Sequence, residues 1–206
     1  MTSKTLWIGG AQWTGKSSVA KLLAAQHQLT LYDYDFHDSR GHSRRAQKEP
    51  ERFPHFAAFL RLDDEQRWVM SSPGQMAAWA QNIFDERFEM VQEDLRAMPG
   101  PILAEGWGLR PRHIARTTDD RHTAAFLVPS PEFFQHQLAT LPRATTLHFQ
   151  ATDPALAVRN RSERNKLLGD QVLDEARSLG FPIVIAAGQP LDELASTIAS
   201  LFHLSK

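Results

Sequence analysis

Residues 10 to 17 read Gly10-Ala11-Gln12-Trp13-Thr14-Gly15-Lys16-Ser17. The pattern G-x-x-x-x-G-K-[ST] is suited to holding phosphate. Its glycines let the backbone curl, so that successive N–H groups converge on phosphate oxygens. A helix that starts at Lys16 adds the partial positive charge of its N-terminus. Lys16 can reach the β- and γ-phosphates, the Ser17 hydroxyl can hold Mg²⁺, and Ser18 belongs to the same first turn. The bland alternative is a glycine-rich turn that binds nothing. The flanking apolar run Leu6-Trp7-Ile8 and the helical spacing of Val19, Leu22 and Leu23 argue against it.

Carboxylates come next. Asp33 and Asp35 end a second apolar run. In extended geometry, side chains at i and i+2 share a face, which would put both carboxylates on one side and Tyr34 in the core. One can then serve Mg²⁺ through water while the other takes a proton from a substrate hydroxyl. Asp33 is assigned to the metal beside Ser17, and Asp35 to the acceptor; the reverse assignment stays open. Asp38 is a weaker third candidate, and solvated turn residues are the plain alternative. Glu105 follows Ile102-Leu103-Ala104 and can orient Mg²⁺ or water or bind an acceptor. Gly106 and Gly108 flank Trp107 and would admit a substrate closely, with Trp107 stacking on it or simply packing.

Cations complete the set. Arg159, Arg161 and Arg164 lie on one helical stretch, and Arg161 and Arg164 are i, i+3 neighbours. Arg161 is expected to stabilise charge on a transferring phosphoryl group, and Arg159 and Arg164 to contact the nucleotide phosphates. A solvated helix face with Glu163 is the alternative. Arg44, in a basic segment with Arg40 and Arg45, and Arg110, followed by Arg112, are candidates for an anionic acceptor. His37 and His42 flank the aspartates, but no spacing among the nine histidines makes a metal site.

The chain has 206 residues, which suits one domain, and 42% of them are hydrophobic, enough for a full core. With a net charge of −1, it carries no field that would gather nucleic acid or an anionic membrane surface. It contains no cysteine, so disulfides, thiolate catalysis and Cys-based zinc sites are excluded. No secretory leader and no apolar run long enough to cross a membrane are read from it, and a cytoplasmic location is the expectation.

The elements that must position these groups alternate. Strand-like runs at 6–8, 29–32, 101–104, 124–128 and 183–186 are separated by helical stretches, which predicts a parallel sheet with helices on both faces. Ligands of such sheets gather at the C-terminal strand ends, where the glycine loop, Asp33/Asp35 and Glu105-Gly106 all fall. The long segment 37–98 holds a helix over about 74–98 whose stripe Met76, Trp79, Ile83, Phe84, Phe88, Val91 and Leu95 reads as core packing, internally or across a homodimer. The segment is placed to wall an acceptor pocket. Two further helices are expected at 131–141 and 153–179.

Gly10 to Ser17, Asp33-x-Asp35 and Ile102 to Gly106 together resemble the small P-loop kinases, the superfamily of nucleoside monophosphate kinases, shikimate and gluconate kinases and chloramphenicol phosphotransferase. The resemblance implies a P-loop NTPase α/β/α sandwich as a single domain. Its five parallel strands would run in the order 2-3-1-4-5, with an acceptor-binding insertion at 37–98 and a lid at about 131–170. It implies ATP and Mg²⁺ as cofactors and a small-molecule hydroxyl as acceptor. It also supports Asp33 or Asp35 as base or magnesium partner. The Glu105-Gly106-Trp107-Gly108 run departs from the glycine triplet of shikimate kinases. A nucleoside or nucleotide kinase is the nearest alternative. A partner-coupled nucleotide switch is the alternative of another class, opposed by Asn165-Lys166 being followed by Leu167-Leu168 rather than by a guanine-reading pattern.

Overall fold

The computed structural model describes residues 5–146 and 150–204, without the side chains of residues 39 and 40. In chain order the elements are β1 (Thr5–Gly10), α1 (Lys16–His27), β2 (Thr30–Asp33), α2 (Tyr34–His37), a π-helical turn (Asp38–His42), α3 (Ser43–Lys48), α4 (Pro54–Arg61), α5 (Asp64–Trp68), α6 (Pro73–Ala97), β3 (Ile102–Glu105), α7 (Pro111–Ile114), a short 3₁₀ turn (Arg121–Thr123), β4 (Ala124–Pro129), α8 (Pro131–Thr140), α9 (Pro142–Thr145), α10 (Pro154–Ser178), β5 (Ile183–Ala186) and α11 (Leu191–Leu201).

All strand pairs are parallel, in the order β2-β3-β1-β4-β5. The central strands β3, β1 and β4 are largely apolar and almost wholly buried because helices cover both faces, whereas the edge strands β2 and β5 are partly exposed. On one face Val19, Leu23, Leu194 and Ile198 of α1 and α11 pack on Ile8, Leu103 and Leu127. On the other, Phe84, Phe88 and Val91 of α6 and Leu168 and Val172 of α10 pack on Trp7, Ala104 and Phe126. The aromatic stripe of α6 is therefore consumed largely within the chain. A satellite cluster of Ala46, Phe53, Phe56, Ile83 and Met90 fastens α3 and α4 onto α6.

Local chemistry sets the element ends. Ser72 and Gln75 form a reciprocal capping box with Pro73 in the first turn of α6, and Asp153 caps α10 by accepting from Leu156 N at 2.9 Å. Helix α1 differs, because its cap residue is Gly15 and no side chain satisfies its first N–H groups. A helix N-terminus without a side-chain cap is able to receive an anion. Register then aligns the site: Ile8 and Asp33 both lie opposite Glu105, so two carboxylates end neighbouring strands. No described helix is long and apolar enough to cross a membrane.

Candidate active site

The glycine loop is held from below by the sheet. Ala11 N donates to Leu127 O at 2.8 Å, and Gly10, at φ 126°, lies so close to β4 that a Cβ would sit 2.1 Å from Leu127 O. Only glycine fits. Trp13 (φ 61°) and Gly15 (φ 85°) are both left-handed. A bulky residue there is strained by about 1–2 kcal/mol. The Trp13 ring stacks on Phe134 of α8, with centroids 5.6 Å apart, which offsets part of that cost. Lys16 Nζ and Thr14 Oγ1 both donate to Ala11 O, closing the loop over the lysine.

A polar cavity of about 250 Å³ opens above this loop. Gln12, Trp13, Thr14, Gly15, Lys16, Ser17 and Ser18 line it from the loop side, and Asp35, Glu105, Trp107 and Arg143 from across. Burial pushes the Glu105 carboxyl, 2% exposed, up to about 7, with Lys16 and Ser17 pulling it down and Asp33 and Asp35 adding repulsion. Burial likewise pushes Lys16 down to about 8, against the attraction of Glu105 and Asp35 and with the help of Arg143. The Asp35 carboxyl is raised, chiefly by desolvation, although Lys16 and Arg87 oppose the shift. Two cations and two carboxylates thus face one another across a space that neither pair fills.

The aspartates are not arranged as extended geometry predicts. The strand ends at Asp33, whose Oδ1 accepts from Asp35 N and Phe36 N at 3.0 Å and starts α2. Helical geometry then sends Asp35 into the polar cavity and Asp38, three residues on, into a second one. Asp33 lines neither. Tyr34 is core, as expected, but its ring occupies the space beside Gly106 and Gly108: a Cβ on either would fall 2.3 Å from it. These glycines admit Tyr34 rather than a substrate.

The second cavity, about 190 Å³, is walled by Phe56, Phe59, Trp68, Met76, Ala80, Ile83, Phe84 and Trp107, with Asp38, Arg67, Arg87 and Arg164 at its edges. Its helices come from the segment between β2 and β3 and from α10. Trp107 borders both cavities. Arg87 is fixed by donation to Tyr34 O (2.7 Å) and His42 Nδ1 (3.2 Å), and its Nη1 lies 3.3 Å from Asp38. Because His42 Nδ1 accepts from Arg87, its Nε2 carries the proton and donates to Asp94 at 2.9 Å. The same Asp94 oxygen accepts from Tyr32 and lies 3.2 Å from His37 Nδ1. His37, His42 and Asp94 lie within metal-ligating distance of one another, yet they form a satisfied hydrogen-bond network that anchors Arg87.

The arginines are redistributed. Arg161 donates to Arg143 O, Ala144 O and Thr146 O, so it braces α9 instead of reaching into the phosphate cavity. The cation that α9 presents there is Arg143, which sequence reasoning passed over. Its only signal is Leu141-Pro142, a helix break that restarts the chain directly before it. Arg164 faces the second cavity, and Arg159 is exposed on the far side of α10. Arg110, 1% exposed, is a structural brace that donates to Leu168 O and Glu175. Arg44 is exposed on α3 and lines neither cavity, and the Arg40 side chain lies outside the described residues.

The phosphate-type loop, the uncapped α1 and the strand order identify the architecture. The fold is that of the small P-loop kinases. No sequence-family model matches the chain, and no curated protein matches it by sequence. Solved structures do resemble it. The protein TT1252 from Thermus thermophilus superposes with a TM-score of 0.55 at 16% identity over 100% of both chains. A gluconokinase from Sinorhizobium meliloti 1021 does so with a TM-score of 0.51 at 16% identity, covering 98% of this chain and 93% of its own. At such identities the likeness to this kinase fold concerns architecture, and the chemistry must be argued from the chain's own residues.

Proposed function

We propose that this protein is a Mg-ATP-dependent phosphotransferase that moves the γ-phosphoryl group to a hydroxyl of a small molecule. The observation that carries the reading is the pairing of two unlike cavities on either side of Trp107, one polar and built on the glycine loop, the other apolar and built by the insertion after β2. Donor and acceptor sites must adjoin in this way if water is to be kept from the transferring group.

In this reading the loop N–H groups and Lys16 cradle the β- and γ-phosphates. Ser17 and Glu105 fit a magnesium ion: both offer hard oxygen, and Glu105 is a buried carboxyl short of compensating charge. Glu105 replaces Asp33 in that role because Asp33 is spent on capping α2. Bound Mg²⁺ supplies charge neutralisation on the phosphate oxygens. Asp35 accepts the hydroxyl proton as the acceptor oxygen bonds to the γ-phosphorus and the bond to the β-phosphate oxygen breaks. Its raised affinity for protons suits a base. Arg143, held by Arg161 through α9, faces the charge that develops on the transferring group. Residues 131–146 therefore act as the lid.

The test is a melting curve with and without Mg-ATP. The nucleotide should raise the melting temperature of the wild type, and Lys16→Ala should abolish the rise. An unchanged wild-type curve would sink the proposal. The aromatic walls of the second cavity keep a nucleoside acceptor as a second reading, tested by ADP release with a nucleoside panel. A partner-coupled switch would instead respond to no small molecule.

A further inference from the structure

The second cavity holds a cation without an ionic partner among the described residues. Of its four ionic side chains, Asp38 and Arg87 face each other, and Arg67 donates to Phe59 O at 3.3 Å and Leu60 O at 3.1 Å. Arg164 is 8% exposed, yet its Nε has no hydrogen-bond partner and no ion pair involves it among the described residues. Its guanidinium carbon lies 5.3 Å from the Trp68 ring centroid and 5.2 Å from that of Trp107. Ring faces attract the cation but leave its in-plane N–H donors unsatisfied. Burying such a donor without an acceptor is costly, and the planar fork of a guanidinium matches a carboxylate in two parallel bonds.

The rest of the cavity narrows the choice. Phe56, Phe59, Met76, Ala80, Ile83 and Phe84 offer no polar atoms beyond the backbone. A polyhydroxylated body would bury hydroxyl groups without partners. The volume is about 190 Å³. A dry engineered cavity of about 150 Å³ holds benzene, so this one takes a single ring with substituents and is small for a nucleoside. Trp107 lines both this cavity and the phosphate cavity, and Asp35 lines the phosphate cavity beside it.

We propose that the acceptor is a one-ring or similarly compact apolar monocarboxylate with one hydroxyl, its carboxylate gripped by Arg164 between Trp68 and Trp107 and its hydroxyl turned toward Asp35. This rests on the phosphotransferase reading for the fate of the hydroxyl, but the carboxylate site stands on its own geometry.

The probe is 4-(hydroxymethyl)benzoate, titrated calorimetrically into the full chain without nucleotide. Its methyl ester, gluconate and phenyl phosphate are run beside it. Saturable binding of the acid is expected. The ester, and the acid with Arg164→Met, should each bind roughly 10- to 100-fold more weakly. Arg164→Lys should lose most of that affinity too, because an ammonium lacks the fork. Lys16→Ala should bind the acid normally. Should Arg164→Met fail to fold, the ester comparison on the wild type and the Arg164→Lys variant still decide. No heat with the acid, an ester bound as tightly, or tighter binding of gluconate or of phenyl phosphate would each overturn the proposal. The two readings separate cleanly. Acid binding without ATP consumption removes the transfer step and leaves this site. ATP consumption with 4-methylbenzyl alcohol at an equal KM removes this site and leaves the transfer.

Discussion

Replacing Glu105 with glutamine should stabilise the ligand-free protein at neutral pH and above. Burial at the end of β3 lifts this carboxyl from 4.5 to about 7. Between those values the native state binds more protons than the unfolded chain, so stability falls as pH rises and is lost through pH 7. The displacement corresponds to about 3 kcal/mol once the group is ionised. Part of this will be returned, because Glu105 also supports the charge of Lys16. A net gain of about 2–3 kcal/mol in Glu105→Gln at pH 8 corresponds to a melting temperature higher by about 4–12 °C for a chain of this size. The assay is thermal unfolding of both proteins in EDTA from pH 4.5 to pH 8. The two curves should coincide at the acid end and diverge upward. Asp35, also raised, leaves a smaller downward slope in the variant. Lys16, lowered to about 8, contributes the opposite slope above that pH, which is why the window closes there. Mg-ADP should then stabilise the wild type more than the variant, since the ion compensates the buried carboxylate of Glu105, a charged ligand that glutamine lacks. A variant less stable than wild type at pH 8, or a difference that does not change with pH, would refute the electrostatic account of the site.

Gly10→Ala should cost more than about 3 kcal/mol in urea unfolding, from the backbone clash with Leu127 O at a positive φ, whereas Gly74→Ala, with nothing within 4 Å, should be neutral or slightly stabilising. Arg143→Ala should lower kcat by roughly 10²–10³ with little change in nucleotide affinity, as expected for a charge used mainly in the transition state. Arg161→Ala should reproduce most of that loss through α9, and the double variant should be far from additive. Asp35→Asn should keep Mg-ATP binding in a melting assay but lose transfer by roughly 10²–10⁴ and flatten the acid limb of the pH–rate profile.

Much of the architecture was readable in the letters. Five apolar runs alternating with helical periodicity specify a parallel sheet, since only strands covered on both faces can be apolar throughout. The glycine-lysine-serine spacing specifies the loop, because its geometry is local and needs residues without a Cβ. The failures share a cause as well. The shared face of Asp33 and Asp35 requires the strand to continue two residues past Asp33, where Asp33 instead caps a helix. Gly106 was read as room for a substrate, and Tyr34 fills that room. Arg110 and Arg161 carry the charge expected of them, but spend it on backbone carbonyls.

By itself, then, the sequence determined the fold and the glycine loop with Lys16 and Ser17, because those follow from backbone chemistry repeated over short stretches. Tertiary structure decided which side chains meet in the other half. Trp68, Arg87, Trp107 and Arg164 come from four separate segments, and only the packing of α5, α6 and α10 around the loop after β3 brings them to one cavity. A side chain's partner depends on the helix rotation and register that packing imposes, so spacing along the chain could name the cations but not their targets.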